Sequence, residues 1–218
     1  MARPDSGRPY HHGDLRRVLL DEAVASLRES GPSALSLRNL ARRVGVSHAA
    51  PAHHFGDKRG LLTAVAAEGY RRLAGSLGAA YEATRDFAEV GVAYVRFAVE
   101  ERSYFEVMFR PDLYDPADPD LVAARSALGA ALSGPAALVP DAPQEAGIAA
   151  WSLVHGLAAL GLAGNLPPGI EGDLPAAARR VTSHLFPAPA APPEAPLKAP
   201  DKSREAQRPP KGKKKKKR

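Results

Sequence analysis

The stretch from Leu35 to Phe55, LSLRNLARRVGVSHAAPAHHF, constrains this chain more than any other. Leu37, Leu40, Ala41 and Val44 recur at i, i+3, i+4 and i+7, which puts them on one face of a helix. Ser36 stands ahead of the run as an N-cap, and Gly45 stands behind it, where a left-handed residue closes a helix. Ser47 is placed to cap a second helix two residues later. Ala41 and Gly45 are both small, so the two axes can approach closely at a steep angle, as a helix-turn-helix requires. Arg38, Arg42, Arg43, His48 and His53 point outward, with Lys58 just beyond. These cationic and hydrogen-bonding groups occupy the face that a DNA groove and its phosphates would meet. A helix, a glycine turn and a helix also occur in all-α proteins whose basic face is merely solvated, so this run alone does not separate the two readings.

Composition narrows the architecture. The chain has 218 residues and is 44% hydrophobic, enough for an ordinary helical domain plus a small one. Three Thr and two Ile leave Val as the main β-branched residue, so the fold class expected is all-α. There is no Cys, which removes disulfides, thiolate metal sites and Cys nucleophiles together. The polar N-terminus carries no apolar core segment of a secretory signal, and a cytoplasmic, nucleoid-associated protein is expected. Charge is unevenly spread. Residues 1–60 hold ten Lys/Arg against six Asp/Glu, residues 61–186 nine against fifteen, and residues 187–218 eleven against three. A basic N-terminus, an acidic middle and a strongly basic end point to a polyanion partner at both ends.

Residues 1–13, MARPDSGRPYHHG, have no periodicity and read as a flexible arm. Arg3, Arg8, His11 and His12 suit phosphates or a minor groove, or the arm has no role. The paired histidines lack a third ligand at metal spacing, and no metal or cofactor is expected. Asp14 is placed to cap a helix to about Glu29, with Leu15, Leu19, Ala23 and Leu27 as its stripe and Gly31-Pro32 as its stop. Asp57 is placed to cap a further helix from Lys58, carrying Leu61, Leu62, Val65, Ala66, Leu73 and Leu77 inward. That helix starts beside the second helix of the pair and ends in the next domain.

The run from Gly13 to Leu62 resembles the DNA-binding domain of the TetR/AcrR family. The matching features are a first helix ending at Gly31, Leu40-Ala41, Gly45-Val46-Ser47, His54-Phe55, Lys58 and Gly60-Leu61. The resemblance implies a three-helix DNA-binding domain over 14–60, with its helix-turn-helix at 36–55. It implies that Arg38, His48, Ala49, Ala50, His53 and His54 face base edges or nearby phosphates, and that Ser36, Ser47 and Lys58 hold the DNA backbone. Helical spacing supports His48, Ala49 and His53 as outward and leaves His54 open. Ala52 stands where the family usually has a Tyr that contacts a phosphate, so one backbone contact is missing. Pro51 is also unusual, though tolerable near a helix start.

The middle of the chain reads as more helices. Val90, Ala93, Tyr94, Phe97 and Ala98 carry one over 87–101, YFEVMF forms a short one at 104–109, and DLYDPADPD is a connector. A helix over 121–132, a loop at 134–140, a long helix from Pro143 to about Gly164 and a last helix capped by Asp173 follow. AGIAAWSLVHGLAALGLAG is nearly long enough to cross a bilayer, but it is mostly Ala and Gly and carries Ser152 and His155, so a core and subunit-contact helix is expected and no membrane. Trp151, His155 and Gly156 resemble the Trp-His-Gly motif of one TetR-family C-terminal domain type. That resemblance implies a ligand-binding and dimerisation domain over 61–186 and a homodimer through helices near 143–163 and 174–186. Tyr94, Phe97, Phe105, Met108, Phe109, Trp151 and His155 either wall a cavity for a small apolar ligand or fill an ordinary core. His155 has no Ser, Asp or Glu partner fixed by sequence, so no catalytic residue is expected.

From Pro187 the chain turns Pro/Ala/Lys-rich and cannot bury a core, so 187–218 is expected to be a disordered basic tail. Its GKKKKKR end suits phosphates without reading bases, or only solubilises. The expectation is a homodimeric regulator on double-stranded operator DNA, most simply a repressor released by a small molecule. Two rivals stand beside it: an architectural nucleoid protein that binds through its tail, and a hydrolase using His155.

Overall fold

The computed structural model describes residues 12–136, 143–170 and 172–185, and every regular element among them is α-helical. Most of the N-terminal arm, residues 137–142, which include most of the expected loop at 134–140, and the Lys-rich tail lie outside the described residues. The helices are α1 (His12–Ala34), α2 (Leu37–Val44), α3 (Ala50–Phe55), α4 (Lys58–Thr84), α5 (Phe87–Glu100), α6 (Arg102–Met108), α7 (Pro119–Ala136), α8 (Pro143–Leu162) and α9 (Leu174–Leu185).

The N-terminal helices form where the apolar spacing requires, with two corrections at their ends. Helix α1 begins at His12, so Asp14 lies in its first turn rather than capping it. It runs through Gly31, whose φ of 71° and ψ of 176° break it, into a last turn carrying Pro32. The first stretch thus ends at Gly31-Pro32 as expected, and one further turn follows it. Leu19, Leu20, Ala23 and Leu27 are buried. Helix α2 begins after Ser36, whose hydroxyl makes no capping bond, and ends at Gly45 with φ 77°. There the Val46 N–H donates to the Ala41 carbonyl at 3.0 Å, the closing bond that a left-handed C-terminal residue permits.

Helix α3 starts at Ala50, two residues later than a cap at Ser47 predicts. His48 and Ala49 form a turn, and the Ala50 N–H closes it onto the Ser47 carbonyl at 3.0 Å. The cause is Pro51. A regular helix capped by Ser47 needs the residue-51 N–H to reach that carbonyl, and proline has none. The first full helical bond runs from the His53 N–H to the Ala49 carbonyl at 2.9 Å.

Helix α4 joins the two ends of the molecule. The Asp57 carboxylate accepts from the Gly60 N–H at 2.8 Å, the expected cap. A Cβ on Gly60 would sit 2.0 Å from the Phe55 carbonyl oxygen, so only glycine lets α4 start this close behind α3. Its 27 residues span about 40 Å at 1.5 Å per residue. Leu61, Leu62 and Val65 pack among α1, α2 and α3, while Leu73 and Leu77 pack in the C-terminal bundle. A single apolar cluster runs from Leu19 to Ala178, so the core is continuous along this helix.

In the bundle, α4 touches α5, α6 and α7, and α8 and α9 lie against α5. The connector before α7 is anchored. Tyr114 is buried and its hydroxyl donates to the Met108 carbonyl at 2.8 Å, and the Asp115 N–H donates to Thr63 Oγ1 at 3.0 Å. Helix α7 continues through Gly134 and Pro135, beyond the end expected at Leu132. Helix α8 is buried on one face only, through Ala150, Val154 and Ala158, and exposes Ile148, Trp151 and Leu160. Its segment Glu145–Leu162 is long and apolar enough to cross a membrane by length and composition, with 22% of it buried in the chain. Of the core and subunit-contact helix expected here, the core face is the one that Ala150, Val154 and Ala158 form.

Candidate functional site

The first candidate surface is the outer edge of α2 and the turn into α3. Arg38 and Arg42, one helical turn apart on α2, are exposed and have no acidic partner among the described residues. His48, Ala49, Ala52 and His53 are exposed on the second element. Ser47 is exposed, and Ser36 and Ala50 are half-buried. Pro51 and Phe55 face inward, with the Arg16 guanidinium 5.2 Å from the centre of the Phe55 ring. His54 is half-buried, its ring 5.6 Å from that of His53 and 6.3 Å from that of Phe55. That resolves the ambiguity of its spacing: it sits at the boundary between the packed and open sides.

Two cations of the expected face are employed within the fold. Arg43 grips the Glu29 carboxylate through Nη1 and Nη2 at 2.6 and 3.0 Å and reaches Glu22 through Nε, both on α1. It fastens α2 to α1 and does not join the outward cationic set. Its hydrogen bonds hold the Glu29 carboxyl below the usual carboxylate range. Lys58 is half-buried and donates from Nζ to the Ser33 carbonyl at 3.1 Å, bracing the link between α1 and α2. One of its three donors is thereby used. Exposed Arg59, which the sequence reading passed over, stands beside it at the start of α4. The adjacent Lys-Arg pair was the signal.

The second candidate site lies between α5, α6 and α8. Five of the seven expected residues come together. The His155 ring centre is 4.5 Å from that of Phe109, 5.4 Å from Phe105, 6.1 Å from Trp151 and 6.3 Å from Tyr94. Tyr94 Oη lies 2.9 Å from His155 Nδ1, and Trp151 Nε1 donates to Tyr94 Oη at 3.1 Å. Burial lowers the His155 pKa, because it disfavours the imidazolium, and raises that of the Tyr94 phenol, because it disfavours the phenolate. Phe97 and Met108 are buried in the same apolar core as Tyr94 and Phe105. The Met108 carbonyl accepts from the Tyr70 and Tyr114 hydroxyls, both at 2.8 Å.

The cluster separates two spaces. On the α9 side, Leu77, Val90, Tyr94, Trp151, Val154 and Thr182 close a crevice down to about 20 Å³, room for one water. On the other side, Phe105, Phe109 and His155 form the floor of an open groove of about 300 Å³, bounded by Arg102, Arg110 and Leu162. Neither space is lined by Phe97 or Met108. The hydrogen-bonded partner of His155 is a phenol, with no carboxylate or Ser among its described contacts. Among the described residues no three His, Asp or Glu side chains are grouped to hold a metal ion.

Known proteins share this fold. A family model described as bacterial regulatory proteins, tetR family, matches residues 19–65. One described as tetracyclin repressor-like, C-terminal domain, matches residues 87–185. A structure of a protein of unknown function from Rhodococcus sp. RHA1 is 35% identical, covers 80% of this chain and 96% of its own, and superposes with a TM-score of 0.68. The TetR family transcriptional regulator PfmR from Thermus thermophilus (20% identical, 75% of this chain and 93% of its own, TM-score 0.57) shares the fold. So does the multidrug binding protein EbrR, complexed with imidazole (21%, 81% and 97%, TM-score 0.54). No curated protein matches the chain. A helix-turn-helix and a C-terminal bundle each matched to the same family, on one continuous core, place this chain in the TetR family of bacterial DNA-binding transcriptional regulators.

Proposed function

We propose that the protein is a homodimeric repressor that holds a pseudo-palindromic operator until a small molecule enters its C-terminal bundle. The observation that carries the DNA half is the exposed edge of Arg38, Arg42, His48 and His53, which spends none of its charge on acidic side chains among the described residues. Neutral histidine can both donate and accept, so His48 and His53 suit purine edges, while the arginines suit phosphates. Ser36, Ser47, Ala49, Ala50, His54 and Lys58 complete the contact surface. In this reading residues 14–60 form the DNA-binding domain and 61–186 the ligand and dimer domain. Residues 1–13 and 187–218 add salt-dependent affinity from either end, and the protein works on the nucleoid.

The exposed side of α8 supports the dimer. Ile148 is 60% exposed and Leu160 48%, beside the small residues Ala149, Ser152, Gly156 and Ala159. An apolar helix face of this kind is covered in a soluble protein, and a second copy's α8 and α9 would bury it in a four-helix interface. Two such heads then meet major grooves about 34 Å apart. The aromatic cluster supports a small-molecule effector, and its Trp151, His155 and Gly156 support a C-terminal domain of the Trp-His-Gly type. The phenol partner of His155 supports a binding rather than a catalytic role.

The test is competition between the chain's own promoter and random DNA in a binding titration at fixed salt. A regulator prefers the promoter by roughly 1,000-fold or more, and the double variant His48→Ala, His53→Ala loses that preference. If the double variant binds normally while deletion of 187–218 abolishes binding, the protein is an architectural tail-binder instead.

A further inference from the structure

Three polar groups of the aromatic cluster bond in a row, and the row has a direction. The Trp151 indole has a donor and no acceptor, so Nε1–H gives its hydrogen to Tyr94 Oη at 3.1 Å. That contact uses a lone pair on Oη and leaves the phenol hydrogen to be given elsewhere. The acceptor beside it is His155 Nδ1, at 2.9 Å. A phenol can donate to Nδ1 only if that nitrogen is bare, so the proton of the neutral ring sits on Nε2. Burial lowers the pKa of the ring and so favours its neutral form.

His155 Nε2 has no protein partner among the described residues, yet no buried side-chain nitrogen or oxygen is left unsatisfied. It is therefore open to solvent, and the space His155 lines is the groove between α6 and α8. Phe105, Phe109 and Leu162 supply apolar surface there, Arg102 and Arg110 supply positive charge, and Glu106 supplies one carboxylate. Arg102 gives Nε to Glu106 at 2.7 Å, and Arg110 gives Nε and Nη2 to Asp112 at 3.2 and 3.0 Å. Each guanidinium has five N–H donors, so both retain unused ones.

We infer that this groove binds an apolar carboxylate, whose head accepts the His155 Nε2–H bond beside Arg102 and Arg110 while its body lies on Phe105, Phe109 and Leu162. The inference rests on the ligand-released reading above and names its ligand class. The chain from Trp151 through Tyr94 sets the sign of the recognition at His155, since an ammonium head placed there would meet an N–H where it needs a lone pair, and the one carboxylate of the lining, Glu106, is already held by Arg102.

Trp151 is the sole tryptophan, so its fluorescence reports on the cluster. The full-length protein is titrated with 4-phenylbutyrate and, separately, with 4-phenylbutylamine. The acid produces a saturable change and the amine does not. Tyr94→Phe frees the His155 tautomer and weakens the acid roughly tenfold, the worth of one hydrogen bond to a charged group. His155→Leu, which cannot donate, weakens it equally, so the result does not hang on one variant folding. Nitrogen NMR of labelled histidine shows Nε2–H for His155 in the wild type. An amine that binds as tightly as the acid, an unchanged Tyr94→Phe, or an Nδ1–H ring overturns the inference. Promoter binding is measured on the same samples. Promoter preference without acid binding sinks this inference alone, and absence of promoter preference sinks the regulator reading.

Discussion

The two ends of α4 solve opposite problems with the same kind of residue. At its start, the polar groups of α2 and α3 are held out in solvent, and the cations that stay there, Arg38 and Arg42, are those with no carboxylate in reach among the described residues. At its far end, Trp151 Nε1, Tyr94 Oη and His155 Nδ1 bond to one another among aromatic rings, and only His155 Nε2 is left to the open groove. Exposure leaves charge free for a polyanion, whose phosphates replace water without a large desolvation cost. Burial turns the same hydrogen-bonding groups into a directional device, because an unmatched donor there costs far more than at the surface. A histidine is therefore a different instrument at position 48 or 53 than at position 155.

The largest effect that could break this contrast concerns the core beneath it. Leu40 is 1% exposed in an eight-residue helix, and Leu40→Ala is expected to cost about 3 kcal/mol, the usual range for a leucine cavity. The apolar cluster is continuous from Leu19 to Ala178, so one cooperative transition should move down in temperature. A separate, earlier melt of the N-terminal helices in a circular dichroism scan would show the two ends to be independent. Next in size is Tyr94→Phe, which strands the Trp151 N–H and the His155 Nδ1 and should cost about 2 kcal/mol by denaturant titration. The double variant His48→Ala, His53→Ala removes two exposed rings, so it should leave that denaturation curve in place while specific DNA affinity falls roughly tenfold or more. A stability loss in the double variant matching that of Tyr94→Phe would erase the distinction.

Acid should act on the buried end first. Burial depresses the folded His155 pKa below the ordinary value of about 6.5. The unfolded chain then binds the extra proton first as pH falls. The contribution to stability is whole above about 6.5 and is lost as pH drops through that value toward the folded pKa. The melting temperature should decline as pH falls through about 6.5, and His155→Gln should flatten that decline. The carboxyls held below their ordinary range, Glu29, Glu89 and Asp112, act only at lower pH, so the window identifies the histidine. An identical slope in His155→Gln would show that the ring is not the titrating group.

Local features are the legible ones. Gly45, Asp57 and Asp173 act as the sequence implies, because a cap needs only its own neighbours. The start of α3 is misplaced by sequence although Pro51 is in view: the missing N–H tells against Ser47 as a cap only once the bond it would have made is traced. The five-residue aromatic cluster is visible as a set, but Phe97 and Met108 are not separable from it, since helical spacing gives an angle and not a partner. Tyr114 is illegible for a related reason. DLYDPADPD has no period, and only the fold shows that its tyrosine reaches the Met108 carbonyl.

The smallest expected difference tests the contrast within one helix. Arg38 and Arg43 both read as outward cations, yet Arg43 is spent on Glu22 and Glu29 while Arg38 has no acidic partner among the described residues. Arg38→Ala should lower promoter affinity and reduce the slope of log affinity against log salt by about one, the signature of a lost phosphate contact. Arg43→Ala should leave the salt slope alone and lower the melting temperature slightly, as exposed ion pairs do. If the slope instead falls for Arg43→Ala and holds for Arg38→Ala, Arg43 leaves its carboxylates for the phosphate when DNA binds. The free charge of this surface would then be chosen by the DNA and not by the fold.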